Sequence, residues 1–278
     1  MRFGLRLHDT IQGTLEERLA FAGKQGFDCA HLALSKVLPG FSMADSPARL
    51  ANPAFEEEIR GAFRRTGMDC VLLGCYLNLT HPDPEEREKT REIYYAHLAF
   101  GKKIGAWMVG TETPAHPTSP LAKDAPRSEE AFRFFLDQVR PVVRRAEEED
   151  MTFVIEPVYG HIISTPERAE RALEALKSDH VRIILDAVNL LGPGNLDRRD
   201  QVIREAIARL GDRVALMHMK DYRIEGEKMV SVACGTGSMD YRELMAFAEK
   251  RDMTMTLENT HPENAEEAKA ALLRAAGR

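Results

Sequence analysis

VALMHMKD, residues 214–221, opens as a buried strand and closes on three titratable side chains, His218, Lys220 and Asp221. A strand covered on both faces has room for such groups only at its end, where the chain leaves the core. Other apolar, β-rich runs recur along the chain and alternate with longer segments of helical period, as in parallel βα units. They are RFGLRLH (2–8), FDCAHLAL (27–34), MDCVLLGCYLN (68–78), WMVGTE (107–112), TFVIEPV (152–158), VRIILDAV (181–188), VALMHMKD itself and MTMTLENT (253–260). Eight such units predict a closed (β/α)8 TIM barrel, because closure removes both sheet edges while the helices cover the outside. The runner-up is an open doubly wound sheet, but the first junction, HDTIQGTLEE (8–17), has no GxGxxG dinucleotide loop.

The helix starts carry their own signals. Thr14 with Glu17, Asp83 with Glu86 and Asp240 with Glu243 have capping-box spacing, and Pro84 and Pro166 suit the first helical position, where a missing N–H costs nothing. Between 129 and 149, Phe132, Phe135, Leu136, Val139, Val142, Val143 and Ala146 form one apolar stripe, and Pro141 within it predicts a kink or break.

A chain of 278 residues suits one barrel spanning 1–278 as a single domain. With 44% hydrophobic and 29% charged residues it has a soluble globular balance, and neither a membrane span nor a signal-peptide core is visible. The expectation is a cytoplasmic protein with no membrane partner. Four scattered cysteines without a CxxC pair read as buried free thiols. A net charge of −6 without a long basic run argues against nucleic acid and for a small-molecule partner. A homodimer is the assembly left open.

Chemistry in such barrels sits at the carboxyl ends of the strands. Strands five to eight each end on one metal-capable group: Glu156 in VIEPV, Asp186 in ILDAVN, His218 in MHMKD and Glu258 in LENT. Bare carboxylates at the edge of a core are costly, and one divalent cation removes that cost for all of them. Three carboxylates and one imidazole suit manganese first, with magnesium, cobalt or zinc allowed. The competing reading pairs each acid with a rim arginine or lysine.

These motifs, with Lys220 and the glycine-rich GTGSMDY (235–241), resemble the xylose isomerase-like TIM barrels, sugar-phosphate isomerases and epimerases with distant endonuclease IV relatives. The resemblance covers essentially the whole chain. It implies that Glu156, Asp186, His218 and Glu258 hold one divalent metal, and that Glu156 and Glu258 exchange protons with a sugar or sugar-phosphate substrate from opposite sides. The implied enzyme is a metal-dependent isomerase or epimerase working through a metal-stabilised enediolate. The alternative is a metal-dependent dehydratase of a keto-polyol or keto-acid, with a non-catalytic sugar-binding protein as a third class. The nuclease relatives carry a D-x-x-H motif on strand six, whereas here Asn189 follows Asp186, and strands three and four end at Asn78 and Glu112. Asn189 also replaces a histidine that contacts substrate in the epimerases, so it is a substrate-binding position with altered chemistry. No second set of carboxylates beyond Asp221 supports a two-metal hydride shift.

Further candidates surround this set. Lys220 binds a substrate oxygen or forms a rim salt bridge with Asp221 or a helix residue. Arg223 holds a substrate hydroxyl or phosphate, or is a solvated loop residue. His8, His161 and Glu112 are substrate-binding candidates, each set against a rim role. The N–H groups of the 235–237 loop could receive an anion, although a lone GxG is more often a turn. His97 reads as a packed core histidine and Trp107 as packing, while His31, His81, His116 and His261 are rim residues without a task.

Overall fold

The computed structural model describes residues 1–114 and 127–278; His116 lies outside them. Eight parallel strands close into a barrel: β1 (Arg2–Arg6), β2 (Cys29–Leu32), β3 (Asp69–Gly74), β4 (Met108–Glu112), β5 (Thr152–Glu156), β6 (Val181–Asp186), β7 (Val214–Met219) and, last in the chain, β10 (Thr254–Leu257). β10 lies between β7 and β1 and completes the ring. The remaining two strands, β8 (Asp221–Glu225) and β9 (Lys228–Val232), form an antiparallel hairpin directly after β7. This hairpin was not anticipated from the sequence.

The strands are shorter than the apolar runs that announced them, because the chain bends away once it clears the sheet. Thus the first run ends as a strand at Arg6, and Leu7–Asp9 form a 3₁₀ turn that carries His8. Inside the barrel, Cys29, Val71, Leu72, Met108, Val154, Ile184 and Leu216 pack into one apolar plug. Gly110 leaves room for it: a Cβ there would lie 2.6 Å from Leu72 Cδ1. The larger core lies between the strands and the helices.

The 129–148 stripe behaves as its spacing predicts, with all seven apolar residues buried. Of the kink or break expected at Pro141, the break does not occur: the helix runs through it, and burial of the stripe on both sides of the proline holds the two halves together. Thr14 and Glu17 form a full capping box. The other two pairs do not: Asp83 accepts from Glu85 N, and Asp240 accepts from Arg242 N ahead of a helix that starts at Arg242. In both places the aspartate bonds two residues ahead, which satisfies its oxygen without the partner glutamate.

His97 is fully buried with Nδ1 2.8 Å from Ile93 O, as a core histidine should be. Trp107 is not packed as expected: it is 39% exposed at the start of β4, with the Arg2 guanidinium 4.9 Å from its ring centroid. All four cysteines are buried and free. Among the described residues no helix is long and apolar enough to cross a membrane.

Candidate metal centre

Strand register assembles the centre. Asp186, last in β6, pairs with His218 of β7, and Thr256 of β10 pairs with His218 from the other side. Glu258 follows two residues later, its N–H donating to Met219 O at 3.0 Å. On the far flank Glu156 ends β5 level with Glu112 of β4. The four groups are staggered in register, since Ile155 pairs with Ile183 and Glu258 lies two residues beyond the level of His218; closure of the barrel brings these strand ends together at its mouth.

Glu156, Asp186 and His218 each place a donor atom within 4.8 Å of the others, and His31, His218 and Glu258 form a second, overlapping group. His218 Nδ1 is the hub, 3.1 Å from Glu156 Oε2 and 3.2 Å from Glu258 Oε1. Neither contact has hydrogen-bond alignment, and among the described residues both ring nitrogens of this buried imidazole lack a hydrogen-bond partner. Buried polar atoms normally find one. Donors that crowd a shared space without bonding to one another fit a cation, and three carboxylates with one imidazole fit a divalent one.

The electrostatics ask for the same charge. Burial would lower the His218 pKa, but the Glu258 and Glu156 carboxylates outweigh it and push it up to about 9. Burial would raise Glu258; His218, Lys220 and Arg6 overcome that and hold it well below the usual carboxylate range. Asp186 stays raised by burial despite Lys220. Lys220 is itself raised, since Asp186 and Glu258 outweigh the cost of its burial.

The acids share their holders. Asn189 Nδ2 donates to Glu156 Oε1 at 2.6 Å, while Asn189 N donates to Asp186 Oδ1 at 3.0 Å. One side chain and its backbone thus fix two candidate ligands. Lys220 Nζ lies 2.8 Å from Asp186 Oδ2 and 3.3 Å from Glu258 Oε2. It is buried inside the centre and does not form the rim salt bridge with Asp221 that was one of its two expected fates. Arg6 Nη1 stands 3.0 Å from Glu258 Oε2, and its Nε and Nη2 donate to Asp9 at 2.8 and 3.1 Å.

Two members of this centre escaped the sequence reading. Arg6 sat unremarked in a core-like run. His31, taken as a rim residue, is buried on β2 with its ring stacked on His218, centroids 5.3 Å apart and planes 11° from parallel. Its Nε2 is 3.0 Å from Tyr76 Oη. The signal was a histidine one residue before the end of an apolar strand, the position His218 occupies in β7.

Glu112 and His161 stand together beside Glu156, His161 Nδ1 3.8 Å from Glu112 Oε2. Burial first, then the Glu156 charge, pushes the Glu112 pKa up to about 7, and burial lowers that of His161. His161 is set in place because Ile163 N donates to Thr113 Oγ1 at 2.9 Å and Ile162 N to Pro114 O at 3.1 Å. His8 and Arg223 lie apart from the four strand-end groups, on the wall of an adjoining cavity that His261 also lines. Burial lowers the His8 pKa. His81 belongs to a turn, its Nδ1 3.2 Å from Asp83 N.

The GTG loop already holds an anion, and that anion is internal. Asp221 turns away from the centre and accepts from Tyr222 N (2.8 Å), Gly235 N (3.1 Å), Gly237 N (2.9 Å) and Met239 N (2.8 Å). Gly235 N and Gly237 N, two of the groups that could have received a substrate anion, are spent on this carboxylate, and Thr236 N closes a turn on Ala233 O. The glycines are required for it: Gly235 has φ +79°, and a Cβ on Gly237 would lie 2.2 Å from Tyr222 O.

No curated protein sequence matches the chain. Among solved structures, the zinc-bound IolI protein superposes with a TM-score of 0.75 at 17% identity, covering 99% of this chain and 96% of that one. The apo 3-keto-D-glucoside 4-epimerase YcjR of E. coli gives 0.75 at 16% identity, covering 99% of each chain. The probable 3-DHS dehydratase AsbF of Bacillus anthracis gives 0.75 at 14%, covering 100% of this chain and 99% of that one. At such identities the likeness is one of fold. The family model described as xylose isomerase-like TIM barrel matches residues 19–276, and the chain belongs to that family.

Proposed function

We propose that the chain is a divalent-metal-dependent isomerase or epimerase of a keto-sugar, moving a proton at the carbon beside the carbonyl. The observation that carries this reading is the placement of two buried glutamates, Glu156 and Glu258, on the two contacts of one imidazole nitrogen, 3.1 and 3.2 Å away. Epimerisation needs a proton removed from one face of a carbon and returned to the other, and two carboxylates flanking a common space can do both.

A divalent cation held by Glu156, Asp186, His218 and Glu258, with manganese the first choice, would supply Lewis-acid polarisation of the substrate carbonyl. The protein's own groups do the rest. Asn189 fixes one oxygen of Glu156 and leaves the other toward the centre. His218, Lys220 and Arg6 keep Glu258 ionised, the form a proton acceptor needs, while weakening it as a base. Lys220 is also placed to steady a substrate oxygen that becomes anionic as the proton leaves. The zinc-bound relative and the keto-glucoside epimerase of the same fold support this reading.

Dehydration is the second reading, favoured by Glu112. This half-buried carboxyl stands beside Glu156, outside the two candidate ligand groups, where it could protonate a departing hydroxyl. The fold likeness to a probable dehydratase agrees with it.

The test is incubation of the manganese-loaded protein in deuterium oxide with a panel of ketoses and keto-glycosides. Deuterium should enter the carbon beside the carbonyl of at least one of them, and a chelator should abolish the exchange. Exchange without loss of water supports the epimerase or isomerase. An ultraviolet-absorbing enone, or water loss by mass spectrometry, supports the dehydratase. No exchange across the panel leaves a sugar-binding protein.

A further inference from the structure

Beside the centre lies a cavity of about 760 Å³, bounded by the exit of β1 (His8 to Gln12), the exit of β10 (Asn259 to Pro262) and the β8–β9 hairpin (Arg223, Ser231). The candidate ligand side chains do not line it, but it adjoins them. Asn259 follows Glu258 in the chain, and the His8 ring is 6.3 Å from that of His31, which stacks on His218. Pockets of roughly 300–1,000 Å³ hold drug-sized ligands. A lone monosaccharide held at the centre would leave this space to water.

The charge in the cavity is one-sided. Asp9, its one carboxylate, is already committed: Arg6 holds it through two nitrogens and Asn259 N donates to it at 2.7 Å. Arg223 projects from the hairpin with only its Nε engaged, on Thr236 O, and among the described residues no acid pairs with it. The buried Thr260 hydroxyl, also part of the lining, has no hydrogen-bond partner among the described residues. A guanidinium that faces a concave space without a counter-ion is suited to a carboxylate or a phosphate. With the GTG loop closed by Asp221, Arg223 is, among the described residues lining this cavity, the arginine or lysine without an acidic partner.

We propose that this cavity takes the far end of the substrate, and that this end is anionic and read by Arg223. The inference rests on the keto-sugar reading of the centre and narrows its substrate class to acidic keto-sugars. The hairpin is then a specificity element, since both Arg223 and Ser231 come from it.

Calorimetric titration of the full manganese-loaded chain at low salt tests this with three probes: D-fructose, D-fructose 6-phosphate and the ketohexuronate D-fructuronate. At least one anion should bind at least about tenfold more tightly than fructose, as a charge-assisted pair would give; which anion gains separates phosphate from carboxylate. R223Q, checked for unchanged melting, should erase the preference, and R223K should keep part of it. Equal binding of the three, no binding of either anion, or a preference that survives in R223Q would overturn the proposal. Deuterium exchange into a neutral ketose without an anion preference would sink this inference and leave the proposed function standing. An Arg223-dependent preference without any exchange would do the reverse.

Discussion

Replacement of Glu258 by Gln is expected to cut epimerisation by about 10²–10⁴-fold, and Glu156→Gln by a similar factor, the range spanned by positioned acid–base groups. The two variants should differ in what they keep. If each glutamate serves one face, the Gln at 258 leaves Glu156 able to exchange the proton of one epimer with solvent, and the Gln at 156 leaves Glu258 able to exchange that of the other. Net conversion needs both and fails in both. Glutamine keeps the length and one oxygen of the side chain, so the Asn189 contact to Glu156 and the Arg6 contact to Glu258 have partners still. Deuterium incorporation from each epimer separately, followed by NMR, reads the two half-reactions. Wild-type conversion in either variant would remove that glutamate from the chemistry, and loss of exchange from both epimers in both would make them ligands only.

The second large effect concerns stability. Asp221→Ala should destabilise the fold by about 3–5 kcal/mol, because it strips one carboxylate from four backbone N–H groups, each costly to leave unpaired away from water. The sum is less than four separate losses, since water reaches a loop that relaxes. Asp221→Asn should cost less: its remaining oxygen can still accept from Tyr222 N and Met239 N, while its amide faces the glycine donors. Asp221 also pairs with Val232 across the hairpin, so the Ala variant should loosen the wall that carries Arg223. Urea unfolding measures the first effect and limited proteolysis within 221–239 the second. An Ala variant that unfolds at the wild-type midpoint would mean the loop N–H groups are satisfied in another way.

The architecture was legible because each strand announces itself as a short apolar run between amphipathic helices, and eight such units leave few ways to close a sheet. The strand ends at 156, 186, 218 and 258 were legible for the same reason: a charge directly after a buried run has few places to go but the mouth. The same rule marks Glu112 at the end of strand four and His8 at the end of strand one as site candidates. Arg6 and His31 sit near the ends of β1 and β2, yet each lies inside its apolar run rather than directly after it, so the rule does not single them out.

Asp221 failed for a different reason. MHMKD offers His218, Lys220 and Asp221 as neighbours, and spacing alone does not say which of them turns back into the centre. The hairpin that follows makes the decision, since pairing of Asp221 with Val232 carries its side chain to the loop. Its signal was the Gly226-Glu227 pair at the turn, with Gly226 at φ +63°. The flanking strands RIE and KMV gave little help; Ile224 is half exposed, so no apolar alternation marked them.

Everything proposed for the chemistry depends on one divalent cation at the meeting point of Glu156, Asp186, His218 and Glu258. Titration of the metal-free chain with Mn²⁺, followed by loss of the free-ion electron paramagnetic resonance signal, tests it directly. One ion should bind per chain in the wild type, and binding should collapse in H218A and D186N while R223Q binds normally. Stoichiometric binding that persists unchanged in H218A and D186N, or no binding to the wild type, would contradict the account.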